Sequence, residues 1–180
     1  ICMPYEVGCV LIKDAELHRK AFAAQPNYLL SHERGLAAGP DPFGNYGMEL
    51  SRGFKALKVW MSLKEHGAGK FARIVRQNIA QAYYLAELIE QEPKLELMAP
   101  VSMNIVCFRY NPGGLSSEQL NFVNKEILMQ LQERGLAAPS YSLINGHYVI
   151  RVANVNHRSM KPDFEALVKD ILQLGNDYEI

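Results

Sequence analysis

Apolar and polar positions follow several rhythms along this chain. From Tyr5 to Ile12 the run is almost continuously apolar, short and rich in Val, Ile and Leu; it closes at Lys13-Asp14, the pattern of a buried strand. Asp14 suits the N-cap of a following helix with Leu17, Ala21 and Phe22 on one face. Between Pro26 and Leu50 no period is sustained. Gly35, Gly39, Pro40, Pro42, Gly44 and Gly47 there predict a long irregular connection, of a length usually functional or mobile in a compact domain. Two helical patterns follow, Phe54 to Glu65 and Lys70 to Gln91, broken at Gly67-Ala68-Gly69. In the second, Phe71, Ile74, Val75, Ile79 and Ala82 recur at steps of three and four.

After Pro93 the pattern shortens. Leu95 to Met98 and Asn104 to Tyr110 read as strands, the latter ended by Asn111-Pro112-Gly113-Gly114. Ser116 with Gln119 fits a capping box. Leu120, Val123, Ile127, Leu128 and Leu131 form one face of a helix from Ser117 to Arg134, and Gly135 is placed to end it in the left-handed conformation. Ser140 to Leu143 and His147 to Val155 can pair across Ile144-Asn145-Gly146, because Asn-Gly is the strongest short hairpin signal. A last helix runs from Pro162 to Leu174, with Phe164, Leu167, Val168, Ile171 and Leu172 inward. Helices on a small, mostly antiparallel sheet make this second part α+β. The pattern places a domain boundary near Glu90 to Pro93, dividing the chain into 1–91 and 92–180.

Composition narrows the function classes. The 180 residues are 48% hydrophobic and 21% charged, an ordinary globular balance that argues against disorder. Lys plus Arg equal Asp plus Glu at 19 each, so no global field points to nucleic acid or an anionic membrane; a small molecule or a protein is the expected partner. No apolar run reaches the roughly 20 residues of a membrane helix. Cys2, Cys9 and Cys107 sit in or beside apolar runs without metal spacing and are expected to be buried thiols in a reducing cytoplasm. His18, His32, His66, His147 and His157 are scattered, show no metal spacing, and read as surface or capping residues.

Two stretches carry chemistry together: Pro4-Tyr5-Glu6-Val7-Gly8 at the start, and Ser51-Arg52 with Ala56-Leu57-Lys58 and Trp60. Both resemble the group II pyridoxal-phosphate-dependent amino-acid decarboxylases, whose pattern at the second stretch is Ser-Arg-Arg, Ala-Leu-Lys, Trp. Gly53 departs from it, standing where many members have a second arginine. The resemblance runs from Pro4 to about Leu174. It implies a fold-type I arrangement, α/β plus α+β: the end of the large cofactor-binding domain followed by the C-terminal small domain. It further implies pyridoxal 5'-phosphate as cofactor, an amino-acid substrate, and a homodimer with its site at the subunit boundary. The family's cofactor lysine lies in a His-Lys-Trp tripeptide a few residues before the segment matched at Pro4, and its ring-stacking histidine lies further upstream. Both are therefore expected ahead of Ile1, and the isolated chain is expected to have no turnover.

Decarboxylation needs the departing carboxylate held, and a proton returned to the α-carbon afterwards. Arg151 matches by position the arginine that fold-type I enzymes use for a substrate carboxylate, a task suited to a planar bidentate fork. Read from its strand alone, Arg151 is equally an inter-strand ion pair, or an arginine whose stem covers apolar neighbours. Arg52 can reach a ligand or bridge a subunit boundary, or it is a structural arginine paired with Glu49 or with another carboxylate. Ungapped counting back from Arg52 puts the family's loop tyrosine, the proton donor, at Phe43. Members with phenylalanine there form aldehydes, because that ring has no proton to give. Tyr46, three residues on in a glycine-flanked segment, is the other candidate donor, and either ring can simply pack. Tyr5 reads as a core residue and Glu6 as a paired carboxylate. Besides a carboxy-lyase, the sequence allows an aldehyde-forming decarboxylase, another lyase on the same scaffold, or a non-catalytic interaction domain built on the small α+β unit.

Overall fold

The computed structural model describes residues 6–23, 32–35, 38–39 and 42–178. It divides into two compact units, Ile1–Gly67 and Ala68–Ile180, which meet in sequence at Gly67. In the first unit, α1 (Ala15–Phe22) begins where Asp14 Oδ1 accepts the Leu17 amide at 2.9 Å; Glu16 in the first turn and Arg19 and Lys20 in the last suit the helix dipole. The long connection is not wholly irregular, for Phe43–Tyr46 forms one 3₁₀ turn with Asn45 buried in it. α2 (Lys55–Gln91) is interrupted at Gly67, whose φ of 74° and ψ of 150° no helix can hold and few side chains would tolerate.

The strand expected over Tyr5 to Ile12 does not form at its described residues. Residues 6–12 carry no regular secondary structure, and Val10 and Leu11 are 76% and 93% exposed. A strand exists only through a partner, and no described residue pairs with this one. Cys9 is consequently exposed rather than buried, and Cys107 is only half-buried; Cys2 and Tyr5 lie outside the described residues. Leu17 and Phe22 are likewise exposed, since no described apolar residue of this unit is buried to receive them.

The second unit follows its sequence pattern closely. β1 (Leu95–Leu97), β2 (Ile105–Tyr110), β3 (Ser140–Ile144) and β4 (His147–Ala153) form an antiparallel sheet in the order β1-β2-β4-β3. α3 (Ser117–Glu133) and α4 (Lys161–Asn176) complete the unit. α3 opens with the capping box: Ser116 Oγ accepts the Gln119 amide and Gln119 Oε1 accepts the Ser116 amide. β3 and β4 turn at Asn145-Gly146, both at positive φ, the conformation a two-residue hairpin demands. Because strand side chains alternate, Leu95, Val106, Phe108, Tyr110 and Ile150 share one face. They pack with Val123, Ile127, Leu128 and Leu131 of α3 and Phe164, Leu167, Val168, Ile171 and Leu174 of α4. Ala82, Leu85, Ala86 and Ile89 from the C-terminal half of α2 join this core. Buried Asn124 ties α3 to the end of β2: its Oδ1 accepts the Tyr110 amide at 2.7 Å, and its Nδ2 donates to the Tyr110 and Leu120 carbonyls at 2.9 and 2.8 Å.

Candidate functional site

Alternation leaves the other face of the sheet with a different chemistry. Glu96, Arg109, Cys107, Arg151, Ser140 and His147 lie there, opposite the helices. The two arginines on this face are in contrasting electrostatic states. Arg109, only 8% exposed, faces Glu96 across β1 and β2, and its Nε and Nη2 both reach Glu96 Oε2 at 2.8 Å. Asn111 Nδ2 donates to the same oxygen at 2.9 Å, and Arg109 Nη1 lies 3.3 Å from His147 Nδ1. The Asn111 amide and the Arg109 guanidinium hold the Glu96 carboxyl below its ordinary range, against a smaller opposing push from burial. His147, half-buried, thus borders the Arg109–Glu96 pair rather than standing free on the surface.

Among the described residues Arg151 has no such counter-charge. It stands in β4 between Cys107 of β2 and Ser140 of β3, directly opposite each. Its Nη1 donates to Ser140 Oγ at 3.1 Å, and the Ser140 hydroxyl donates to the Arg151 carbonyl at 3.2 Å. Among the described residues no carboxylate pairs with it. Burial pushes the Cys107 thiol up, more than the nearby Arg151 charge draws it down, so that neighbour stays neutral. A half-buried guanidinium beside a thiol and a hydroxyl keeps most of its donors for an external acceptor.

The remaining sequence candidates lie in the first unit. The 3₁₀ turn carries both aromatic positions: Phe43 is 84% exposed, while Tyr46 is half-buried. His18 of α1 holds this turn. Its Nε2 lies 3.0 Å from the Tyr46 carbonyl oxygen, and its ring meets Tyr46 and Phe22 edge-on at 5.4 and 5.5 Å. Arg52 is exposed and lies over Gly47; a Cβ on Gly47 would collide with Arg52 Nη2, so glycine permits the approach. No ion pair joins Arg52 to Glu49, whereas Lys55 Nζ reaches Glu6 Oε1 at 2.5 Å and lowers that carboxyl's pKa. Phe43, Tyr46 and Arg52 therefore cluster in one unit, and Arg151 belongs to the other. The roles of His18 and Ser140 had gone unread. A scattered histidine gives no signal, but Ser140 was countable, because a two-residue turn at Asn145-Gly146 pairs 144 with 147 and so 140 with 151. Among the described residues, no helix is long and apolar enough to cross a membrane.

The model of the pyridoxal-dependent decarboxylase conserved domain matches residues 1–111. An aromatic-L-amino-acid decarboxylase of Bacillus atrophaeus is 33% identical over 178 residues, 98% of this chain and 37% of that protein. A phenylacetaldehyde synthase of Petunia hybrida is 28% identical over 152 residues, 81% of this chain and 30% of that protein. The chain thus spans about a third of the length of the curated relatives it matches. In structure it is similar to Catharanthus roseus tryptophan decarboxylase in complex with L-tryptophan, with a TM-score of 0.67 at 26% identity, covering 75% of this chain and 29% of the other.

Proposed function

Because the chain belongs to the pyridoxal-dependent decarboxylase family, we propose that it is the C-terminal part of an amino-acid decarboxylase. In this reading residues 1–91 close the cofactor-binding domain and 92–180 form the small α+β domain. The observation that carries the reading is Arg151, a guanidinium with no carboxylate partner among the described residues, on the sheet face opposite α3 and α4. Its donor set fits a carboxylate, which it can grip with a planar fork, so that the bond to be broken is oriented before reaction.

Pyridoxal phosphate, when bound, supplies the electron sink for the substrate's α-carbon. The chain's own contribution is then to bind and orient the substrate through Arg151, and to deliver a proton from the loop of residues 42–47. Tyr46 has a phenol to give and is held half-buried by His18. Arg52, draped over the same loop at Gly47, positions that segment or adds a cation for the ligand. A cytoplasmic dimer acting on a free amino acid is the setting that suits these roles.

A second reading has a specific observation behind it. Phe43, at the position counted from Arg52, projects into solvent with no proton to donate, and the Petunia relative is named as an aldehyde synthase. The two readings separate by product. Incubating the intact protein in air with pyridoxal phosphate and aromatic, acidic or diamino acids should release carbon dioxide, accompanied either by an amine or, with uptake of dioxygen and loss of ammonia, by an aldehyde. An amine whose formation is abolished by Tyr46→Phe supports the decarboxylase with Tyr46 as donor. An aldehyde that gives way to amine in Phe43→Tyr supports the second reading. Absence of carbon dioxide release from every class of amino acid would leave the interaction-domain alternative.

A further inference from the structure

We propose that Ser140 is a positioning residue for Arg151, holding its guanidinium in the orientation that receives a carboxylate. The inference rests on the reading of Arg151 given above and extends it to a residue on a different strand. Ser140 engages Arg151 at both ends: Oγ accepts from Nη1 at 3.1 Å, and the same hydroxyl donates to the Arg151 carbonyl at 3.2 Å. One hydroxyl thereby fixes the tip of a long side chain to its own main chain. Arg109, by contrast, is fixed by the Glu96 carboxylate, which cancels its charge. A neutral tether orders a cation without spending that charge, and this is what an anion-binding arginine requires.

The tether is itself anchored. Ser140 opens β3 directly opposite Arg151, and the carbonyl of the preceding residue, Pro139, accepts from Gln132 Nε2 of α3 at 2.8 Å. The line Gln132, Pro139, Ser140, Arg151 therefore runs from a core helix to the guanidinium. An arginine left to rotate freely loses its rotamer freedom only when the ligand arrives, which weakens binding; a pre-oriented one does not. Threonine retains the hydroxyl at this exposed edge position and is well suited to a strand.

The test uses the 180-residue chain and two readouts. Relaxation of the Arg151 Nε–Hε group by NMR reports its order, and titration with acetate reports carboxylate binding at the same signal. Ser140→Ala is expected to loosen Arg151 and weaken acetate by roughly three- to ten-fold, the effect of one hydrogen bond. Ser140→Thr should restore both, and Ser142→Ala, opposite Val149 on the same strand, should change neither. Arg151 equally ordered in Ser140→Ala and wild type, or disordered in Ser140→Thr, would overturn the proposal. If Ser140→Ala loosens Arg151 but acetate leaves the wild-type signal unmoved, Ser140 positions the arginine and the carboxylate reading is what fails.

Discussion

Glu96→Gln should destabilise the second unit by about 2 kcal/mol, whereas Arg151→Gln should stay within about 0.5 kcal/mol of the native chain. Both substitutions remove one charge from the same sheet face, and the difference follows from what each leaves behind. Glu96 Oε2 accepts two bonds from Arg109 at 2.8 Å and one from Asn111 at 2.9 Å. Losing its charge strands the Arg109 guanidinium, whose side chain is 10% exposed. Breaking a fully buried pair costs about 3–5 kcal/mol. The Glu96 side chain is 43% exposed, so water already screens part of the attraction and the cost falls below that range, to about 2 kcal/mol. Among the described residues Arg151 has no ionic partner to strand, and its removal costs one hydrogen bond to an exposed hydroxyl. Urea unfolding resolves the contrast, since about 2 kcal/mol moves the midpoint by roughly 1 M for a domain of this size. The single tryptophan, Trp60, lies in the first unit, so near-ultraviolet circular dichroism of the buried Tyr110 is the better probe. Equal destabilisation by the two substitutions, or a Glu96→Gln midpoint unchanged from the native one, would refute the assignment of Arg109 to structure and Arg151 to binding.

Other outcomes follow from the same geometry. Asn124→Ala removes the buried side chain that accepts from the Tyr110 amide and donates to its carbonyl and should cost about 2–4 kcal/mol, read by the same urea titration. Gly175→Ala drives a methyl group into the buried Tyr110 ring and should cost about 1–3 kcal/mol, visible as a lowered Tm. The Glu96 pKa is depressed on folding, so its contribution is present above the unfolded value of about 4.3 and is lost as pH falls through the lower folded value. Below about pH 4 the stability gap between wild type and Glu96→Gln should therefore close. His18→Phe keeps a ring against Tyr46 but removes the bond to its carbonyl, and should speed amide hydrogen exchange across residues 43–47 relative to α1.

Much of the second unit was legible because its signals are local. The Ser116/Gln119 box, Gly135 and Asn145-Gly146 each dictate backbone geometry within four residues, and the helical faces of α3 and α4 are periodic enough to name their buried members. The run at residues 6–12 misled because a strand is a pairing, and no spacing within seven residues reveals whether a partner is present. The same limit applies to charge: Arg109 and Arg151 each stand inside a strand, and only the register shows that one meets Glu96 and the other meets Ser140. His18 escaped notice because its partner, Tyr46, is 28 residues away across a segment without period.

The measurement closest to the central claim is the intact mass of the protein as isolated from its source, taken with its cofactor absorbance and its release of carbon dioxide from amino acids. The account predicts a species heavier than 20.3 kDa that carries the pyridoxal chromophore and releases carbon dioxide, with the rate falling in Arg151→Gln. A 20.3 kDa protein that binds no pyridoxal phosphate and releases none would contradict it.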